Sequence, residues 1–167
     1  MPTPLIRPFA ITDIDHALAL NNASVPHVNE LDRAEVQRLA ELAACALVAE
    51  IDGEFAGFCW VLGPGQPYAS LNYRWFSARY DDFVYLDRIA VYDHLRRHGV
   101  GRALYAELVQ RFTGVCPVLL CEVNVRPANE ASLRFHSSLG FQEVGQQDTD
   151  GGAKTVSLLE LPLTVRR

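Results

Sequence analysis

The spacing of apolar residues along the chain changes at a glycine-containing turn near its middle. Phe83 to Val91 (FVYLDRIAV) is β-branched, aromatic or apolar apart from Asp87 and Arg88, the pattern of a largely buried strand. From Val100 the period lengthens to four, and Val100, Leu104, Leu108 and Phe112 mark one apolar helix face, with Gly114 placed to stop the helix. Upstream, Leu5 to Ile11, interrupted by Pro8, predicts an edge strand. Thr12 with Asp15 opens a helix from Asp13 to about Asn22, and Ala23 to Leu31 breaks at Pro26. Asp32 with Glu35 starts a second helix, to about Ala44. Cys45–Ile51 and Glu54–Leu62 read as a hairpin turning at Asp52-Gly53. Gly63 to Asp82 reads as a long loop carrying Tyr68, Tyr73, Trp75, Phe76 and Tyr80; these aromatics line a pocket, form a subunit contact, or cover the edge of the core. Downstream, Pro117 to Val125 is a second buried strand, Asn129 caps a helix that ends near Leu139-Gly140, and Phe141–Gln147 and Thr155–Leu161 flank a turn at Asp150-Gly151-Gly152. Strands and helices in this order predict an α/β fold, a mixed and mostly antiparallel sheet with helices packed on its faces.

The central turn carries the first chemistry. A helix N-terminus presents backbone N–H groups without intrahelical acceptors, and the macrodipole favours an anion there. Gly99 and Gly101 remove side chains from the approach, while Arg96, Arg97, His98 and Arg102 surround it with positive or protonatable groups. That is a phosphate cradle; the plainer reading is a strand-to-helix turn that uses glycine for its backbone angles alone.

Composition narrows the partners. A chain of 167 residues forms one domain with a full hydrophobic core. Its net charge of −5 argues against general binding to nucleic acid or to an anionic membrane, so the arginine cluster is a local positive site on an acidic protein. No stretch reaches the roughly 20 apolar residues of a membrane span, and MPTPLIRPFA lacks a signal-peptide apolar region. Cys45, Cys59, Cys116 and Cys121 form no CxxC pair, and the expectation is buried thiols in a reducing cytoplasm, with no metal site.

Arg96-Arg97-His98-Gly99-Val100-Gly101 resembles the Q/R-x-x-G-x-G/A signature of the GCN5-related N-acetyltransferase (GNAT) superfamily, with Ile89-Ala90-Val91 at the family's spacing upstream. Asn129 to Phe141 (NEASLRFHSSLGF) is similar to the family's second motif, N-x-x-A-x-x-F-Y-x-x-x-G-F. The resemblance covers Phe83 to Phe141 and implies a GNAT-like sheet whose central strands splay, with acetyl-coenzyme A as co-substrate. The pantetheine would run along the backbone of Ile89, Ala90 and Val91. The pyrophosphate would sit on the amides of Arg97 to Arg102, and Arg96, Asn124, Asn129, Ser132, Phe135 and His136 would complete the cofactor site.

The implied reaction is attack of an amine on the acetyl thioester, which needs a base for the ammonium proton and a donor for the leaving thiolate. Many relatives place a tyrosine donor seven residues after the motif asparagine; that position is His136, which either donates or only packs on the cofactor. Some relatives place a base five residues before the asparagine; that position is Asn124, which cannot take a proton. Glu122 shares its strand face, and Asp87 is the other carboxylate in reach. The plainer account of either acid is an ion pair with Arg88 or Arg126. By family layout the acceptor, a small-molecule or peptide amine, would meet His27, Asn29, Tyr73 and Trp75, and the protein would be a homodimer. A longer acyl group, an oxygen nucleophile, or a coenzyme A-binding regulator without turnover remain the alternatives.

Overall fold

The structure, a computed structural model, describes residues 2–163. The elements run β1 (Leu5–Pro8), α1 (Ile14–Ala23), α2 (Arg33–Leu42), β2 (Cys45–Ile51), β3 (Glu54–Leu62), α3 (Leu71–Ser77), β4 (Val84–Val91), α4 (Val100–Phe112), β5 (Val118–Arg126), α5 (Glu130–Ser138), β6 (Gln142–Thr149) and β7 (Lys154–Pro162). Short 3-10 turns occupy Ile11–Asp13, Asp93–His98 and Asp150–Gly152. The strand order is β1-β2-β3-β4-β5-β7-β6. Neighbours are antiparallel in β1/β2, β2/β3, β5/β7 and β6/β7, and β4 runs parallel to β5 at Val84↔Leu119 and Tyr85↔Leu120. The chain divides into two compact units, one of residues up to Leu62 with Leu86–Phe112, the other of Gly63–Tyr85 with residues from Thr113 on.

In the first unit, α4 packs on β2 and β3, and α1 and α2 also contact β3. Val100, Leu104 and Leu108 of α4 are fully buried, which confirms the four-residue period. The turn between β2 and β3 puts Asp52 at φ 52° and Gly53 at φ 80°, as the Asp-Gly pair predicts. Asp32 caps α2 with its side chain on the Glu35 amide, and Glu35 reaches back to the Asp32 amide. Two boundaries differ from expectation. β1 ends at Pro8, and Ile11 stands 69% exposed in a 3-10 turn. α1 begins at Ile14 because the Asp13 carboxylate is already engaged by the Ala10 amide and the Arg7 guanidinium, which hold it below the usual carboxylate range although burial alone would raise it.

In the second unit, β5 is flanked by β7, which pairs with β6, and α5 packs on β5. The stretch read as a loop contains α3. Ser70 caps it by accepting from the Tyr73 amide, and Tyr73 and Phe76, three residues apart, bury against Phe83 and Tyr85. Seven residues between Pro/Gly-rich flanks are too few to show a helical period, so aromatic packing decides the conformation. The cysteines also divide: Cys59 and Cys121 are buried, while Cys45 and Cys116 are half-buried, and all four are free thiols.

Candidate active site

The first unit contains the glycine turn. After β4 the chain makes a 3-10 turn to His98, and Gly99 takes φ +76°, the left-handed conformation that turns it into α4. The first α-helical bond of α4 runs from the Ala103 amide to the Gly99 carbonyl, so the Val100 and Gly101 amides precede the closed turn. Nothing lies within 4 Å of where a Gly99 Cβ would stand. Arg96, Arg97 and Arg102 are exposed around it, and Arg96 is paired to Asp93 at 3.0 Å. His98 Nδ1 is buried and makes no hydrogen bond to the described residues. An uncrowded Gly99, three exposed arginines and a buried imidazole nitrogen without a hydrogen bond, all at the start of α4, are compatible with a diphosphate.

Along β4, Leu86, Arg88 and Ala90 are buried while Asp87, Ile89 and Val91 are half-buried, so the two faces alternate as the sequence suggests. Gly57 of β3 holds this geometry. A Cβ there would stand 2.7 Å from the Ala90 carbonyl oxygen, 3.2 Å from Val91 and 3.3 Å from Val100, so only glycine admits β4 and α4 this closely. Asp87 accepts from Trp60 Nε1 at 2.9 Å and lies 3.5 Å from Arg88 Nε. A cavity of about 370 Å³ opens beside this strand, with Val25 and His27 from the α1–α2 segment on one side and Val91, Tyr92, His94 and Arg96 on the other. His27 and Asn29 are both exposed overall, though the Asn29 amide oxygen accepts from Arg88.

The second unit holds the remaining expected residues. Tyr85, fully buried, donates its hydroxyl to the Glu122 carboxylate, 2.8 Å from each oxygen. Beyond Glu122 the ladder to β7 skips Val125, and Val125 bridges Ala128 across Arg126 and Pro127. The Asn129 amide then donates to the Asn124 carbonyl at 3.0 Å. Arg126 and Pro127 form the tip of this turn, which brings Asn129 opposite Asn124. Asn129 caps α5, its side chain accepting from the Ser132 amide at 3.3 Å.

His136 is 5% exposed, between the rings of Phe135 and Phe141. Its Nδ1 lies 2.7 Å from the Ser132 carbonyl and 3.2 Å from the Ser132 hydroxyl. Burial pushes its pKa down from 6.5, against the smaller opposing pull of that carbonyl. Since a carbonyl only accepts, the neutral ring carries its proton on Nδ1 and presents Nε2 as an acceptor. Tyr73 is 3% exposed, donates to the Gly63 carbonyl at 2.6 Å and accepts from the Gln66 amide. Trp75 lies under the Arg79 guanidinium, 3.6 Å from the ring centroid, and over Gly145, where a Cβ would come within 2.6 Å of the indole.

Sequence reasoning missed Gly57, Tyr85 as the partner of Glu122, and the turn that bridges Val125 to Ala128 ahead of Asn129. Gly57 sits within an apolar run and Tyr85 in a strand, so composition marks neither. An Arg-Pro pair just before the cap was the available signal for the turn. Among the described residues no group of three or more His, Cys, Asp or Glu is placed to hold a metal ion, and no helix is long and apolar enough to cross a membrane.

Comparison with known proteins agrees with this geometry. The acetyltransferase (GNAT) family matches residues 15–141. An N-alpha-acetyltransferase from Sulfurisphaera tokodaii is 28% identical over 83% of this chain and 80% of its own length. The ribosomal-protein-S18-alanine N-acetyltransferase from Escherichia coli superposes with a TM-score of 0.74 at 20% identity, over 99% of this chain and 97% of that one. The structure of yncA from Salmonella typhimurium with its cofactor acetyl-CoA gives 0.70 at 22% identity, over 99% and 96% of the two chains. The glycine turn, the capped helix that follows β5 and the family match lead to one conclusion: this chain belongs to the GNAT family and is an acyltransferase, of a family that uses acetyl-CoA.

Proposed function

We propose that the protein is a single-domain acetyl-CoA-dependent N-acetyltransferase whose acceptor is the free α-amine of a peptide or protein N-terminus. The glycine turn carries the cofactor part of this reading: Gly99 in the left-handed region, uncrowded at its Cβ position and flanked by exposed Arg96, Arg97 and Arg102 at the start of α4, suits a diphosphate. Arg96 to Arg102 would hold it, and the backbone of Ile89, Ala90 and Val91, with Asn124, Asn129, Ser132 and Phe135, would line the rest of the cofactor. The α-amine acceptor is supported by the relatives, one an N-alpha-acetyltransferase and another acting on the alanine of a ribosomal protein. Free thiols at all four cysteines suit a reducing compartment such as the cytoplasm.

The cofactor supplies an activated acetyl thioester. The chain must present the amine neutral and in place. Glu122 is the base in this reading, because its carboxylate is held in place by the Tyr85 hydroxyl on the strand that leads into Asn129. Asp87 is less suited, because Trp60 and Arg88 already engage it. His136, neutral with its proton on Nδ1, packs beside the cofactor and is not the proton donor. Val25 and His27, on the cavity beside Val91, form the acceptor wall, and Asn29, held by Arg88, anchors the same loop; Tyr73 and Trp75 support the other unit's aromatic packing.

The test is calorimetric titration with acetyl-CoA, followed by thiol release with peptides bearing a free α-amine, the same peptides blocked at the N-terminus, and small amines. Release with the free peptides alone supports the reading. Turnover of small amines in preference to peptides overturns the acceptor assignment, and absence of cofactor binding overturns the whole.

A further inference from the structure

Arg88 is one of few buried charges in the first unit, 4% exposed on β4. Its Nη1 donates to Asn21 Oδ1 at 2.8 Å and to the Asn29 carbonyl at 3.0 Å, and its Nη2 donates to Asn29 Oδ1 at 2.7 Å. Asn21 Nδ2 donates to the same Asn29 carbonyl at 3.0 Å. Next to it, Asn22 closes on Leu31 in both directions, Nδ2 to the carbonyl and Oδ1 from the amide, each 3.0 Å. The connection between α1 and α2 has no helix or strand over 24–32. Side chains fix it instead, at Asn29 and Leu31.

The part between the end of α1 and the tether at Asn29 carries Val25, 47% exposed, and His27, and both line the cavity that Val91, Tyr92, His94 and Arg96 complete. A guanidinium taken out of water is costly unless paired, and an apolar side chain of similar volume would serve packing at least as well. Asp87 supplies the countercharge and is itself held by Trp60. What the planar fork provides, and an apolar residue cannot, is a fixed separation between β4 and the loop.

We propose that Arg88 is a positioning residue for the acceptor: it clamps the α1–α2 segment to β4 and so sets where Val25 and His27 stand at the cavity. The inference rests on the reading of that cavity as the acceptor wall, but the clamp itself is tested without any acceptor. Hydrogen exchange over 24–31 is compared in the unaltered protein, Arg88→Met, Arg88→Lys and Asn29→Ala. The last removes only the loop's side-chain partner, on a residue exposed enough to leave the core untouched. Loss of a hydrogen bond to a charged group should speed exchange there by about tenfold, with Arg88→Lys intermediate. In parallel, acetyl-CoA affinity and the steady-state constants for a free-α-amine peptide are measured.

The expected result is faster exchange confined to 24–31, a peptide KM raised about tenfold by Arg88→Met, kcat little changed and acetyl-CoA affinity unchanged. Unchanged exchange in all three variants overturns the clamp. A lowered melting temperature with KM unaffected reduces Arg88 to core packing and overturns the positioning role. If the unaltered protein turns over no peptide, the acceptor reading fails, and exchange alone decides whether Arg88 clamps the loop.

Discussion

At the scale of single residues, Glu122 and His136 each carry a test of the proposed site. Glu122, held by the Tyr85 hydroxyl, is the proposed base. Glu122→Gln should lower kcat by about 10²- to 10⁴-fold in a steady-state assay while acetyl-CoA still binds. Tyr85→Phe removes the hydrogen bond that holds this carboxylate in place, so kcat should fall while acetyl-CoA affinity is kept. His136 gives a stability signature with a definite sign. Its folded pKa is depressed, so the unfolded chain takes the proton first as the solution is acidified. Stability is therefore complete above the ordinary value of 6.5 and falls as pH drops through it towards the folded pKa. Urea denaturation at stepped pH should show this slope, and His136→Gln, which keeps a donor for the Ser132 carbonyl, should flatten it. If His136 were instead the proton donor, kcat would fall as pH rises through its pKa; the account predicts no such fall.

At the scale of elements, close approach and capping set the frame. Gly57→Ala forces a methyl group to 2.7 Å from the Ala90 carbonyl, where backbone must shift. We expect a loss of about 1–3 kcal/mol in chemical denaturation, the usual range for overpacking, together with weaker acetyl-CoA binding because Ala90 and Val91 move. Asp32→Ala removes a capping box at α2 and should cost about 1 kcal/mol without touching cofactor affinity. Much of this frame was legible in the sequence. The hairpin at Asp52-Gly53, the helix from Val100 to Phe112 and the Asn129 cap all follow from local rules that the chain obeys within itself. What was not legible depends on partners distant in sequence. α3 exists because Tyr73 and Phe76 find Phe83 and Tyr85, and Gly57 matters because of a carbonyl on another strand. In the candidate site the glycine turn into α4 was readable from spacing. Glu122 was a candidate base in the sequence beside Asp87, but its partner Tyr85 was not legible, because that contact joins two strands distant in sequence.

At the scale of the whole molecule, a chain of net charge −5 carries a positive turn made of exposed arginines. Attraction for an anionic cofactor then comes from the local cluster against a repulsive background, and exposed charges are screened by salt. Acetyl-CoA affinity should fall steadily as ionic strength is raised, more steeply than peptide KM. The central claim is that the turn at Gly99 holds the cofactor's diphosphate. Gly99→Val has room for its side chain, since nothing lies within 4 Å, and the left-handed backbone adds strain of about 1–2 kcal/mol. Its methyl groups would add bulk at the start of α4, where the proposed diphosphate would approach. The decisive measurement is calorimetric titration of acetyl-CoA into the unaltered protein and into Gly99→Val, with circular dichroism showing both folded. The account predicts a clear binding isotherm for the first and none for the second; equal affinity in two folded proteins would contradict it.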